Sequence, residues 1–244
     1  MPDIKSIHSS GLLEKKEQVP YQFNRIAHRY DIATFFSQGY LDDLNRSVQH
    51  MQLKGNELVA DLCCGTGKST ICCLNALPNG SVIGVDNSAE MLNHAKEKYY
   101  STYSRDKLEF IQKDVMQLDF EENSLDAIFM AYGIRNMPDY ELCLQNLYRV
   151  LKPGGVICFH EYSLNENIFS RLYWRILGYA VIIPFSTLVT GSSTIFRYLV
   201  KSVLNFPSPQ DFIEKLDRAG FKNIKVYNQR SWRKPILRTF LAKK

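Results

Sequence analysis

From residue 57 onward the chain alternates short apolar runs with stretches of helical apolar spacing, and this alternation constrains the fold more than any other feature. Strands are expected at 57–62, 81–85, 108–111, 125–130 and 156–161, with helices at 69–77, 89–100 and 140–151 between most of them. Such an alternation requires an α/β arrangement, parallel strands joined by crossover helices on both faces of one sheet. Lys152-Pro153-Gly154-Gly155 reads as a turn cluster that closes one helix and launches the next strand, because Pro cannot continue a helix and Gly supplies positive φ. Two segments with helical spacing come first, around 19–30 and 39–51. After Glu161 a long apolar helical stretch is expected at 165–204. A helix at 207–219, stopped by Gly220, and strands at 222–228 and 236–242 follow.

At 244 residues and 45% hydrophobic content, the chain can bury a core without disulfides or a structural metal. Its six cysteines form no CxxC pair and have no histidine at ligand spacing, so they read as reduced core residues, with no metal site and a cytoplasmic location. The first ten residues are polar and carry no secretory signal. The most apolar window, 176–190, contains Gly178 and Pro184 and is shorter than the roughly 20 residues of a membrane-spanning helix, so no span is expected. Charge is uneven: eight of the 30 Lys and Arg, and none of the 25 acids, lie from Lys222 onward. A basic tail suits an anionic membrane surface or an acidic partner, with a solvated strand pair as the equal alternative. Nucleic acid is not expected, since no recognition motif accompanies the charge.

Val59-Ala60-Asp61-Leu62-Cys63-Cys64-Gly65-Thr66-Gly67 runs from an apolar strand through a glycine-containing turn into a helix, a geometry that lets a ligand approach the backbone. The sequence GxGxxG is absent. A phosphate loop is not met either, because Leu62 stands where its first glycine belongs. Asp86 ends the second strand 20 positions beyond Thr66, where a carboxylate accepts both hydroxyls of an adenosine ribose; the alternative is an acid capping the helix that starts near Ser88. Asp114 ends the third strand, where it or a neighbouring amide can hold an adenine edge.

Together with Asn123-Ser124-Leu125-Asp126 and the run Leu147 to Gly155, these motifs resemble, in order, those of class I S-adenosylmethionine-dependent methyltransferases. The resemblance implies a Rossmann-like seven-stranded sheet with the last strand antiparallel, completed by 222–228 and 236–242, with N-terminal helices and a helical lid inserted after the fifth strand. One domain is expected, divided into an N-terminal helical segment (1–55), a cofactor-binding core (56–161), the lid (162–206) and a C-terminal helix and strands (207–244). Tyr30-Asp31, Ala131-Tyr132-Gly133-Ile134-Arg135-Asn136, Glu161-Tyr162-Ser163 and Phe196-Arg197-Tyr198-Leu199 further resemble the ubiquinone/menaquinone C-methyltransferases. The cofactor residues implied are Tyr30, Asp61, Cys63, Gly65, Thr66, Gly67, Asp86, Asn87, Met91, Asp114, Val115, Ala131 and Tyr132. Three departures stand out. Ala131 replaces a common Ser, Lys68 replaces the usual Asp after the loop, and residues 229–244 lack the family's Gly-rich, His-containing ending.

Methyl transfer from a sulfonium to a ring carbon needs no metal and no covalent enzyme intermediate, so the protein must chiefly orient and share a phenolic proton. Arg135 and Asn136 follow the fourth strand at its ligand-binding rim, with a loop salt bridge as the plainer role for Arg135. His160 and Glu161 end the fifth strand on opposite faces, so one of them faces the pocket; the resemblance favours Glu161 and leaves His160 to packing. Tyr198 reaches the same rim from the lid as a substrate contact. The catalytic set is therefore Arg135, Asn136, Glu161 and Tyr198. The apolar run 172–189 suits either a polyprenyl tail or core packing. The expected partner is a hydrophobic aromatic or prenylated small molecule, with membrane contact and a homodimer left open. A secondary-metabolism methyltransferase with an N, O or alkene-carbon acceptor, or a cofactor-binding protein without catalysis, stands as an alternative.

Overall fold

The computed structural model describes Asn24, residues 39–164 and residues 168–244. Apart from Asn24, the expected helix at 19–30, including Tyr30, lies outside the described residues. The remaining elements, in chain order, are α1 (Tyr40–His50), β1 (Leu58–Leu62), α2 (Lys68–Asn75), β2 (Ser81–Asp86), α3 (Ala89–Tyr99), β3 (Leu108–Gln112), β4 (Leu125–Ala131), α4 (Tyr140–Val150) and β5 (Leu151–Tyr162). They are followed by α5 (Ile168–Ile176), α6 (Ile183–Thr190), α7 (Thr194–Asn205), α8 (Pro209–Arg218), β6 (Lys222–Asn228) and β7 (Leu237–Lys243).

Seven strands form one sheet in the order β3-β2-β1-β4-β5-β7-β6. β1 to β5 pair in parallel, and β7 runs antiparallel to both β5 and β6. The central strands are mostly apolar on both faces, broken by Asp61 in β1 and Asp126 in β4, because helices cover both faces of the sheet. Alternate residues of each strand then divide between two cores. Ala60, Leu62, Ile128 and Met130 pack with Leu144 and Leu147 of α4 and Phe212 of α8. Val59, Ala127 and Phe129 pack with Leu44 and Val48 of α1 and Cys73 of α2. The helices are started by their own sequence. Asp139 caps α4 by accepting from the Glu141 and Leu142 amides at 2.9 and 3.0 Å, and Ser208 with Asp211 makes a reciprocal capping box ahead of Pro209.

Two sequence expectations are corrected. Lys152-Pro153-Gly154-Gly155 is not a turn outside the sheet: α4 ends at Val150, and β5 already pairs at Leu151, opposite Leu125, before Val156 meets Ala127. The extra residues bulge at Gly154 (φ +78°), and Lys244 holds the bulge to the sheet through reciprocal backbone bonds with Gly154 and Gly155. Nor do Gly178 and Pro184 interrupt the lid. Residues Ile168–Thr190 form one 23-residue helix, long and apolar enough by length and composition to cross a membrane. Its middle, Leu177–Ile182, is a wider π-helical turn, which relieves the clash of the Pro184 ring with the preceding turn. Gly178 is where this helix meets α7; a Cβ there would lie 2.6 Å from Val200. Trp174, fully buried, donates its indole hydrogen to the Val200 carbonyl at 3.1 Å.

Candidate active site

A cavity of about 480 Å3 opens at the carboxyl ends of β1, β2 and β4, where an open α/β sheet places its ligands. The loop after β1 forms its floor. Cys63, Gly65 and Gly67 all take left-handed φ values of 54–81°, and the last is the residue that starts α2. Gly67 is required twice over, because a Cβ would also press to 2.9 Å from Phe110. Asp86 fixes the loop to β2: its carboxylate accepts from the Gly65 amide and the Ser88 amide, each at 2.8 Å. Asp86 does not cap the following helix, since Ser88 does so by accepting from the Met91 amide at 3.2 Å; Asp86 holds the Ser88 amide and lines the cavity.

Asp61 stands beneath the loop, fully buried. One carboxylate oxygen accepts from Ser69 at 2.7 Å and Thr70 at 2.6 Å, while the other is without a hydrogen-bond partner among the described residues. Burial pushes its pKa up to about 7, against the pull of the two hydroxyls. Asp114 starts a short turn by accepting from the Met116 amide at 2.8 Å, and Val115 follows it in the cavity wall. Cys63, Gly65, Thr66, Asn87, Met91, Ala131 and Tyr132 line the cavity; Asp61 and Gly67 support it from behind.

The loop after β4 supplies the opposite wall. Arg135, about 5% exposed, pairs with the fully buried Glu161 at 2.7 Å through the same nitrogen that donates to the Tyr132 carbonyl at 2.6 Å. Burial lifts the Glu161 pKa, and Arg135 together with the Tyr162 amide pulls it back. Arg135 lines the cavity, whereas Glu161 sits behind it with both oxygens directed to Arg135 and the Tyr162 amide. Asn136 donates to the Tyr132 carbonyl at 3.3 Å and accepts from Tyr198 at 3.1 Å, so Tyr198 of α7 stands behind Asn136 and ties the lid to the wall. The four residues expected to act together are therefore contiguous, in two layers. Gly133 permits this wall to meet the floor, since a Cβ there would lie 2.8 Å from Cys63 Sγ.

Sequence reasoning did not assign Tyr40, Cys64, Lys68, Ser69, Met116, Gln117, Met137 and Pro138 to the lining. All but Tyr40 stand beside residues already singled out, so their position on the same loops was the available signal. Tyr40 carried none, because α1 reaches the cavity only through tertiary packing.

Residues 12–232 match the model of the ubiE/COQ5 methyltransferase family. The chain belongs to that family. It is 34% identical over 218 residues to the demethylmenaquinone methyltransferase of Staphylococcus aureus, covering 86% of this chain and 88% of the relative. Among solved structures, the fold is similar to a possible histamine N-methyltransferase of Thermotoga maritima (TM-score 0.64, 16% identity, 93% of this chain and 99% of that one). It is also similar to phosphoethanolamine N-methyltransferase 2 of Haemonchus contortus in complex with S-adenosyl-L-methionine (TM-score 0.67, 18% identity, 89% and 56%). The chain is an S-adenosylmethionine-dependent methyltransferase, with the seven-stranded sheet that the ordered motifs imply.

Proposed function

We propose that the enzyme methylates a ring carbon of a quinol carrying a hydrophobic tail. The observation that carries this reading is the buried Arg135–Glu161 pair on the cavity wall with Asn136 beside it, in a chain one-third identical to a demethylmenaquinone methyltransferase. Bound S-adenosylmethionine supplies a methyl group already activated on a sulfonium. The residues present fit that group. Asp86 is assigned the ribose hydroxyls, Asp114 and Val115 the adenine edge, and the loop from Cys63 to Gly67 the amino-acid end. An ammonium arriving at that loop would favour ionisation of Asp61, whose second oxygen has no hydrogen-bond partner among the described residues.

The remaining work falls to the chain. Arg135, held by Glu161 and the Tyr132 carbonyl, faces an acceptor oxygen with a fixed cation and favours its phenolate. Glu161 orients Arg135 and is not itself the proton acceptor, because it does not reach the cavity. Asn136 and Tyr198 set the edge of the acceptor's site from the lid side.

The lid supports a lipid-soluble acceptor. Along Ile168–Thr190, Ile168 (74% exposed), Phe169 (78%), Leu172 (52%) and Leu188 (86%) face outward, while Trp174, Gly178 and Ile183 pack inward against α7. Arg171 and Arg175 are exposed on the same helix, and the Tyr173 hydroxyl bonds the Trp232 carbonyl at 3.1 Å, which brings exposed Arg230 and Lys234 alongside. A helix with one packed side, an apolar outer side and flanking cations suits the surface of an anionic bilayer, lying on it and not crossing it. The basic tail contributes less than its composition suggests: Arg233 is buried against Asp43, Arg238 is buried, and Lys222 pairs with Asp217. The reading places a cytoplasmic enzyme at the membrane periphery. Transfer of a labelled methyl group from S-adenosylmethionine into a lipid extract tests it: label in a quinone fraction is expected, and label confined to water-soluble amines or hydroxyls would favour a secondary-metabolism acceptor.

A further inference from the structure

Behind the cavity wall, polar side chains from distant parts of the chain meet in the buried interior, beside the Asp43–Arg233 ion pair. Ser47 of α1, His160 of β5, Thr239 of β7 and Gln229, which precedes β7, are all buried. Ser47 Oγ lies 2.9 Å from His160 Nδ1 and 2.7 Å from Thr239 Oγ1, and Gln229 donates to Thr239 at 2.7 Å. Burying such groups costs free energy that an apolar cluster of the same shape would avoid. The backbone ladders of the sheet need none of them.

Nδ1 of His160 faces the Ser47 and Thr239 hydroxyls, at 2.9 and 3.2 Å, and Nε2 meets the Tyr132 hydroxyl at 3.0 Å, so one imidazole ring joins the buried chain to the cavity wall. Burial, reinforced by Arg233 and Arg46, pushes the His160 pKa down to about 3, which keeps the ring neutral. Tyr132 lines the cavity with a left-handed φ of 57°, a strained conformation for an aromatic residue. Its amide donates to the His160 carbonyl at 2.8 Å, and its carbonyl is held by Arg135 and Asn136. Its ring stacks on that of Tyr40, centroids 5.7 Å apart, and meets His160 edge-on at 5.0 Å.

We propose that Tyr132 orients the aromatic ring of the methyl acceptor, and that His160 is a positioning residue that holds Tyr132 in place through the buried chain to Ser47 and Thr239. This rests on the aromatic-acceptor reading above and assigns Tyr132 to the acceptor in place of the cofactor contact that the resemblance implied. Fixed at its amide, its carbonyl and its hydroxyl, Tyr132 is a rigid wall against which a flat acceptor gains offset stacking and loses its rotational freedom. The bonds from Arg135 and Asn136 to its carbonyl couple that wall to the groups assigned to the acceptor's oxygens.

The test uses the full chain saturated with S-adenosylhomocysteine and reduced 1,4-naphthalenediol as the acceptor probe. Tyr132→Ala is expected to weaken diol binding by about tenfold or more, the scale of a lost aromatic contact, with S-adenosylhomocysteine affinity within about twofold of wild type. In turnover with S-adenosylmethionine in place of S-adenosylhomocysteine, Tyr132→Phe, which keeps the ring, should lower kcat/KM by about threefold to tenfold, the effect of one hydrogen bond. The pair Tyr132→Phe and His160→Leu should lower kcat/KM no further than Tyr132→Phe alone, because His160 reaches the site only through the bond to the Tyr132 hydroxyl that both changes remove. If the wild type binds the diol but methylates no quinol, the acceptor reading fails while the binding comparison still decides the role of Tyr132. A wild type that does not bind the diol, a Tyr132→Ala variant that binds it normally, or equal losses of diol and S-adenosylhomocysteine affinity would each overturn the proposal.

Discussion

Arg135 brings a full positive charge into a wall that is about 5% exposed, and Glu161 balances it from the dry side. Lysine in its place keeps the charge but loses the planar, rigidly oriented guanidinium, one nitrogen of which donates to both Glu161 and the Tyr132 carbonyl. Arg135→Lys is expected to lower kcat by roughly tenfold or more while calorimetry finds S-adenosylmethionine affinity near wild type; a matching loss of cofactor affinity would make the residue a structural support. Asp61 gives a pH signature. Its folded pKa of about 7 lies above the ordinary carboxylate value, so its favourable contribution is present at low pH and is lost as the pH rises through 7. The thermal midpoint of Asp61→Asn should therefore gain on that of the ligand-free wild type between about pH 4 and pH 8, and a constant difference across that range would rule this out. At this scale the sequence was informative where chemistry clusters along the chain: Arg135 and Asn136 stand beside a strand end. It could not show that Glu161 turns its carboxylate to Arg135 and away from the cavity, because that depends on a contact 26 positions apart.

The helix Ile168–Thr190 links the surface to the site. Its inner face meets α7 at Val200, and two residues earlier Tyr198 bonds Asn136. Charge placed on the outer face at Phe169 and Leu188, as Phe169→Glu with Leu188→Glu, touches no buried contact and should leave the thermal midpoint within about 2 °C, the scale of well under 1 kcal/mol for a chain of this size. Cosedimentation with anionic phospholipid vesicles should fall severalfold, and so should turnover of a long-tailed quinol but not of a short-tailed one. Unchanged vesicle binding would remove the lid from the membrane account. The continuity of this helix was illegible in the sequence for a physical reason. Pro and Gly are breakers in a local reading, and only the packing of Gly178 on Val200 and the π turn ahead of Pro184 make them compatible with one helix. The bulge at Gly154 escaped notice likewise, since β7 and Lys244, which hold it on the sheet, come 90 residues later.

Across the whole molecule, strand order does the assembling. With β1 between β2 and β4, the loops carrying Asp61 to Gly67, Asp86 and Ala131 to Asn136 emerge side by side, and β5 adds Glu161 next to β4. The alternation of strands and helices and the order of the motifs made this much readable. That the last two strands complete the sheet, the final one antiparallel, was implied by resemblance; the place of β7 between β5 and β6 was not, as no periodicity in 236–242 specifies a partner. The buried chain from Ser47 to His160 and Thr239 lay beyond sequence reasoning altogether, because it joins three elements up to 192 positions apart. What unites the fold, the site and the lid is the claim that this cavity sets a sulfonium methyl against a quinol carbon. The most direct test gives the purified enzyme S-adenosylmethionine labelled with 13C in the methyl group and a reduced, prenylated naphthoquinol lacking its ring methyl, and reads the product by NMR. A labelled methyl bonded to the ring carbon, formed by the wild type and lost in Asp86→Ala, is the predicted result; label on oxygen, or none in the quinol while the enzyme binds its cofactor, would contradict it.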